Sequence, residues 1–366
     1  MNPKTETELA EMVAGLSHPV RIAGGSTRGI GGPNATIHTV GLSGINLYEP
    51  GALTLVAQAG TPLAEIEAAL EAEGQQLPFE PMDHRGLLGT GGDPTIGGVV
   101  AANISGPRRI QSGACRDFLL GVRYVDGNGQ VIKNGGRVMK NVTGYDLVKL
   151  MAGSWGTLGI LTEVSLKVLP KPESTATLAV QVADAEDAVQ AMSAALKSPF
   201  EVNGAAYDPQ DGRTYLRIEG FSDSVSYRLG QLRSVLTGCG EVTEIPDSAD
   251  LWQGLRDVKP FQGLDGDVWR ISVKPSDAPD VSMHLAADQL LFDWGGGLIW
   301  ARVSQGTDLR ARLGTFDGHA TLVRAGADTI ETLGQFQPES AEVKALTRGL
   351  RQRFDPRGLF NPGLMG

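Results

Sequence analysis

The stretch RGLLGTGGDPTIGGVVAANISG, residues 85–106, holds seven glycines in 22 positions, and Pro107, Arg108 and Arg109 follow it. Glycine at that density marks either flexible filler or a backbone that must come close to something flat and charged. Filler carries no apolar residues in phase, whereas Ile96, Val99, Val100 and Ile104 are interleaved with these glycines. The stretch therefore reads as a packed loop whose bare N–H groups surround an anion, an arrangement suited to phosphate. Two companions share its texture. Gly24-Gly25-Ser26-Thr27-Arg28-Gly29 follows a short strand at 20–23, and Gly153-Ser154-Trp155-Gly156-Thr157-Leu158-Gly159 feeds a long strand at 160–168.

Neither standard nucleotide frame fits these loops. A Rossmann unit needs G-x-G-x-x-G running into a helix, but Gly31, Gly32 and Pro33 follow Gly29 and block a regular helix. A P-loop needs a Gly-Lys-Ser/Thr triplet, and the chain has none.

Working outward, 366 residues suit two or three domains with ample core. A net charge of −10 argues against nucleic acid and anionic membrane surfaces as partners. Cys115 and Cys239 are the two cysteines, so no zinc ribbon or iron–sulfur ligand set is present in this chain. Two lone thiols fit a reducing compartment. The start MNPKTETELAEMV lacks the pattern of a secretory signal, and no run approaches a membrane span. A cytoplasmic protein is expected.

In chain order, the apolar spacing predicts a helix over 5–15, strands at 36–40 and 53–58, and a helix capped by Thr61 with Pro62 in its first turn. A hairpin is expected over 122–132 around Asp126-Gly127-Asn128-Gly129, then a helix over 146–152. Leu169-Pro170-Lys171-Pro172-Glu173 marks the clearest boundary, because closely spaced prolines favour an extended linker. Beyond it, strands at 176–183, 214–219 and 268–273 alternate with helices at 184–197 and 222–236, which suggests a sheet covered by helices. No internal repeat is visible. A final helix over 338–353 leads into FDPRGLFNPG at 354–363.

VRIAGGSTRG at 20–29, DPTIGGVVAANISG at 93–106, GSWGTLGILTEVSLKVLP at 153–170 and the ending at 354–363 together resemble the vanillyl-alcohol oxidase superfamily with its PCMH-type FAD domain. Within it, GGRVMKNVTGYDLVKLMAGSWGTLG at 135–159 resembles FAD-linked 2-hydroxy-acid dehydrogenases, and in particular the FAD-binding subunits of multi-subunit glycolate oxidases. The resemblance implies an α+β fold: an FAD domain of two α+β subdomains over 1–172, an α+β cap over 173–335, and a tail over 336–366 returning to the FAD domain. It implies FAD, a hydroxy-acid substrate oxidised to glyoxylate in the glycolate case, and two partner subunits, a larger one containing FAD and an iron–sulfur one. A self-sufficient FAD-dependent enzyme oxidising another hydroxy acid or alcohol and a flavin-free, non-catalytic scaffold are the alternatives.

For the cofactor, the residues carried over are Gly24, Gly25, Ser26, Thr27, Arg28 and Gly29 in the first loop. Asp93, Pro94, Thr95, Ile96, Gly97 and Gly98 come from the second. Gly156, Thr157, Gly159 and Ile160 come from the third. Asn103, Ser105, Gly106 and Asn361 read either as partners for ribityl or ring atoms or as loop caps. Relatives that tether FAD through the first loop do so with a His, and Ser26 and Thr27 stand here, so noncovalent FAD is expected. Cys115 reads as a buried thiol or as a bond to the ring. Hydroxy-acid dehydrogenases of this branch carry a GHxGDGNxH-like segment; Gly318-His319-Ala320-Thr321 keeps one His of it, and no metal site is expected. His319 reads as a general base or a satisfied polar residue, Arg270 as a bidentate clamp on a substrate carboxylate and Lys140 as a side chain over the flavin face, with surface ion pairing the alternative for both.

Overall fold

The computed structural model describes residues 1–29, 36–137 and 144–365. The chain divides into two units. The front unit comprises Met1–Ser105, Gly113–Lys171 and Pro338–Gly366; the second comprises Gly106–Ser112 and Pro172–Gln337. The short segment Gly106–Ser112, read from sequence with the front domain, therefore belongs with the second unit.

The front unit is built on a five-stranded antiparallel sheet in the order Ile45–Glu49, Thr54–Gln58, Ile160–Lys167, Leu119–Val125, Val131–Gly135. The hairpin between the last two turns on Asp126, whose carboxylate accepts hydrogen bonds from the N–H groups of Asn128 and Gln130. Leu55, Ile66, Phe79, Ile96 and Val164 belong to one apolar core, formed where the helices Leu63–Glu71 and Ile96–Ala101 meet the sheet. A smaller core gathers Leu9, Val13, Ile37, Leu359 and Phe360. It joins the helix Glu6–Ala14, the parallel strand pair Arg21–Ala23/Thr36–His38 and the chain's final turn. Two cores give two α+β subdomains, as the resemblance implied.

Three local expectations fail for physical reasons. The 85–106 stretch is not a continuous loop: Thr95 caps a helix Ile96–Ala101, its hydroxyl accepting from Gly98 N–H at 3.4 Å. Flanking valines buried on this helix outweigh the poor helix propensity of two glycines. Thr61 does not cap its helix; its hydroxyl bridges to Gly44 and Gln58 instead. The edge strand Ile45–Glu49 went unread, because one bulge breaks its alternation.

The second unit is an eight-stranded antiparallel sheet ordered Val242–Ile245, Ser174–Gln181, Arg213–Gly220, Gly204–Asp208, Gln289–Asp293, Leu298–Val303, Asp267–Val273, Gly318–Arg324. It contains a repeat that the sequence hides. Residues 174–245 run strand, helix, strand, strand, helix, strand, and residues 267–324 run through the same order. The halves join edge to edge at Tyr207 opposite Phe292. Helices Ala185–Lys197 and Ser222–Val235 of the first half and Ala278–Leu285 and Leu309–Leu313 of the second bury one sheet face, with Trp269, Ile271, Leu216 and Leu178 among the core residues.

Alternation then puts Arg217, Glu219 and Arg270 on the opposite face. There Arg108 donates to Glu219 through Nε at 2.7 Å and Nη2 at 2.5 Å, with both side chains largely buried. Asn203 also donates to Glu219, and Arg217 lies 3.8 Å away. Burial pushes the Glu219 carboxyl up, but hydrogen bonds from Arg108 and the charges of Arg217 and Arg108 outweigh it and hold it below the usual range.

Replacing Arg108 with Ala leaves a buried, under-compensated carboxylate and is expected to cost roughly 3–5 kcal/mol, read as an earlier denaturant midpoint. Glu219 titrates lower folded than unfolded, so its contribution is fully present above the unfolded value of about 4.3 and is lost as pH falls through the depressed folded pKa. A pH series of melts should therefore show a shallower acid-side loss in Arg108→Ala than in the parent.

Candidate functional site

The three glycine loops meet. Residues 22–28, residues 95, 97, 98, 101 and 102, and residues 154–156 and 159–161 line one cleft in the front unit. Gly24, Gly25, Ser26, Thr27, Arg28, Thr95, Gly97, Gly98, Gly156, Gly159, Ile160 and Asn361 are on its wall, as are Thr39, Ala59 and Trp155, which sequence reading missed. Nothing in the sequence marks Thr39 or Ala59, because each follows the end of a strand, Thr36–His38 and Thr54–Gln58, outside the three glycine loops.

The glycines are there chiefly so that the loops can pack on one another. A Cβ on Gly25 would stand 1.6 Å from the Asp93 carbonyl oxygen, one on Gly24 would stand 2.3 Å from Thr95 Oγ1, and one on Gly97 would stand 2.6 Å from Ala59 Cβ. Thr90 Oγ1 adds a 2.8 Å hydrogen bond to the Thr27 carbonyl. Gly156, at φ 70°, turns the third loop.

Asn361 ties the third loop to the first. Its Oδ1 accepts from Ile22 N–H at 2.9 Å and its Nδ2 donates to the Trp155 carbonyl at 2.7 Å. This side chain is a loop brace with its main donor and acceptor engaged.

Other carried-over positions lie off the wall. Gly29, Asp93, Pro94 and Thr157 do not line the cleft, and Ile96 is fully buried in the core. Thr157 Oγ1 donates to the Ser154 carbonyl within the turn. Asn103, at φ 50°, accepts from Arg116 N–H, and Ser105 Oγ accepts from Cys115 N–H, so both cap backbone. Gly106 belongs to the second unit, where its carbonyl accepts from Trp294 Nε1 at 3.0 Å. Cys115 is fully buried, and burial pushes its thiol well above the ordinary range.

Arg28 is the charged group of the cleft. Its Nε is closed off from water and makes no hydrogen bond, and its guanidinium has no ion-pair partner among the described residues. Desolvation lowers its pKa to about 10, with Cys115 and Asp83 acting in the other direction, so it is a cation at neutral pH. A cation set into protein without a direct ion-pair partner is costly unless an anion arrives. A diphosphate fits that requirement. Ser26 and Thr27, on the same wall, add hydroxyl donors.

The proposed catalytic positions lie elsewhere. Lys140 falls outside the described residues. Arg270 stands on Asp267–Val273 of the second unit, with its guanidinium carbon 5.0 Å from the centre of the Trp294 ring. Desolvation, with the nearby Arg109 charge, lowers its pKa to about 10 despite Asp293. His319 is on the neighbouring strand, opposite Ser272, and is exposed. Partial desolvation and the charges of Arg270 and Arg109 hold its imidazole below the usual pKa. Among the described residues, no three His, Cys, Asp or Glu side chains cluster closely enough to hold a metal ion. Nor is any helix among them long and apolar enough to cross a membrane.

Comparison with known proteins agrees with this architecture. The FAD binding domain family matches residues 1–135. The glycolate oxidase subunit GlcD of Bacillus subtilis (strain 168) is 34% identical over 170 residues, 46% of this chain and 34% of that one. Among solved structures, alkyldihydroxyacetonephosphate synthase superposes at a TM-score of 0.72, covering 100% of this chain and 77% of its own, at 16% identity, which speaks for the fold alone. The glycolate oxidase subunit GlcE of Escherichia coli (strain K12) is 39% identical over 352 residues, 95% of this chain and 92% of that one. With identity at that level across nearly the whole of both chains, this chain belongs to the family of the glycolate oxidase subunit GlcE, among the FAD-linked oxidoreductases.

Proposed function

We propose that this chain is the FAD-binding subunit of a multi-subunit glycolate dehydrogenase, oxidising glycolate to glyoxylate with electrons passing to an iron–sulfur partner. A larger FAD-containing subunit completes the complex, which works in the cytoplasm and meets the inner face of the membrane through its partners. The observation that carries the reading is the convergence of three glycine loops on one cleft that holds Arg28, a buried cation with no ion-pair partner among the described residues. The extended likeness to a protein named as a glycolate oxidase subunit supports the substrate and the assembly.

The residues present fit noncovalent FAD. Arg28 is placed to neutralise a diphosphate, and the Ser26 and Thr27 hydroxyls with the N–H groups of the first and second loops are placed to hydrogen-bond its oxygens. The loop at 156–160 offers backbone edges to the remaining polar atoms. When bound, the flavin supplies a two-electron acceptor for hydride from the alcohol carbon. The protein's part is to hold that group in one pose, and the cleft's mutually packed loops make the pose pre-set.

Two variants test the flavin reading. Arg28→Gln should fold and yet bind FAD roughly 10–100-fold more weakly, the worth of a charge-assisted contact, measured by fluorescence titration of flavin into the flavin-stripped chain. An unchanged affinity removes Arg28 from the diphosphate. Gly25→Ala drives a methyl into the Asp93 carbonyl, and the forced shift is expected to cost about 1–3 kcal/mol and to give a chain that purifies largely without flavin. Purification of the parent chain with no flavin and no uptake of added FAD would overturn the proposal.

A further inference from the structure

The helix Ala341–Phe354, 14 residues long, contains no buried residue. Both its ends are fixed. The Ser340 hydroxyl accepts from Val343 N–H at 3.3 Å, and at the other end the Phe354 ring packs 6.4 Å from that of Tyr124 in the front core. Between them, the least exposed side chains are polar. Thr347 and Arg351 are half-buried, with Thr347 Oγ1 donating to Glu339 Oε1 at 2.8 Å and Arg351 Nη2 to the Leu364 carbonyl.

The apolar side chains look away. Val343, Leu346 and Leu350 are 48%, 70% and 39% exposed. Steps of three and four place them on one helix face, and Phe354, four residues on, carries that row into the core. Polar residues normally collect on the solvent side of a surface helix, so this helix is laid with its apolar side out. Anchors at i, i+3 and i+7 are the pattern by which an amphipathic helix seats in the groove of another protein.

Charge says which kind of groove. Lys344, Arg348, Arg351 and Arg353 against Glu342 give the helix +3, in a chain whose net charge is −10. Arg351 and Arg353 stand in the last turn, where cations complement the helix dipole. Lys344 and Arg348 are exposed earlier on the helix, where the dipole gives no reason for them. A basic helix with an apolar row complements a groove with an apolar floor and carboxylates at its rim. A second copy brought up about a two-fold axis would set +3 against +3, and an anionic lipid surface repels the rest of an acidic chain.

We propose that Val343, Leu346 and Leu350 dock this helix into an apolar, carboxylate-rimmed groove on a partner subunit of the same complex. That the partner is a subunit of the complex rests on the multi-subunit reading above. The chemistry of the groove rests on the helix alone.

The test co-expresses the full chain, affinity-tagged, with its host's relative of the glycolate oxidase subunit GlcD and with the host's iron–sulfur subunit. Recovery of each partner, flavin content and melting temperature are measured together. The parent should bring a partner down. Leu346→Ser combined with Leu350→Ser is expected to weaken that association roughly 10–100-fold at unchanged flavin content and melting temperature, whereas Leu346→Met should retain it. Lys344→Glu combined with Arg348→Glu should weaken it in low salt and leave it less sensitive to added salt. Equal recovery with the parent and the double-serine variant overturns the docking site and leaves the multi-subunit reading standing. A parent that recovers neither partner overturns that reading, and the docking site with it. A dimer of the parent alone by light scattering, or its binding to vesicles of anionic phospholipid, that the double-serine variant loses gives the face to a second copy or to the membrane and overturns the proposal.

Discussion

The candidate site exists because two stretches of main chain pass closer than any side chain allows. Gly25 lies against the Asp93 carbonyl, and Gly92 approaches the Gly25 carbonyl so nearly that a Cβ there would stand 2.3 Å from it. Each loop thus forms part of the other's wall, and neither keeps its shape alone. The third loop joins through Asn361, a side chain from the far end of the chain that bonds to Ile22 and Trp155. Loops this interlocked have little freedom left to lose when a ligand enters, so the ordering cost falls on folding and not on binding.

The same constraint explains what could be read from the sequence and what could not. Glycine clusters beside short strands located the cleft, and Arg28 was legible because it sits inside one of them. The reason for the glycines was misjudged, since a glycine that admits a phosphate and a glycine that admits a neighbouring carbonyl leave identical traces in a sequence. Asn103, Ser105 and Thr157 belong to the same motifs as the wall residues, yet their side chains turn inward to backbone groups. Motif membership says which loop a residue is on, and local hydrogen-bonding decides which way it faces.

The second unit shows a different limit. Its two halves repeat an order of strands and helices that no repeated motif in the sequence announces, because a buried face asks only for apolar side chains at alternate positions. A search for repeated letters passes over such a duplication. The opposite face is where the halves diverge: one is filled by the buried network of Arg108, Glu219 and Arg217, the other by the Arg109, Trp294, Arg270 and His319 constellation. Arg270 could be singled out from sequence as a candidate, but its companion Arg109 could not. Only the excursion of Gly106–Ser112 brings that residue from the front of the chain to the sheet.

The path of the chain also sets an order of events during synthesis. The front unit is opened by residues at its start, left at Lys171 and resumed at Pro338, and its smaller core includes Leu359 and Phe360. As a ribosome makes the protein, the first strands therefore lack part of their apolar cover, and Ile22 its Asn361 acceptor, until residues 359–361 have been made and have emerged. A nascent chain stalled between residues 171 and 361 has every glycine of the three loops but not the Asn361 brace that ties the third loop to the first.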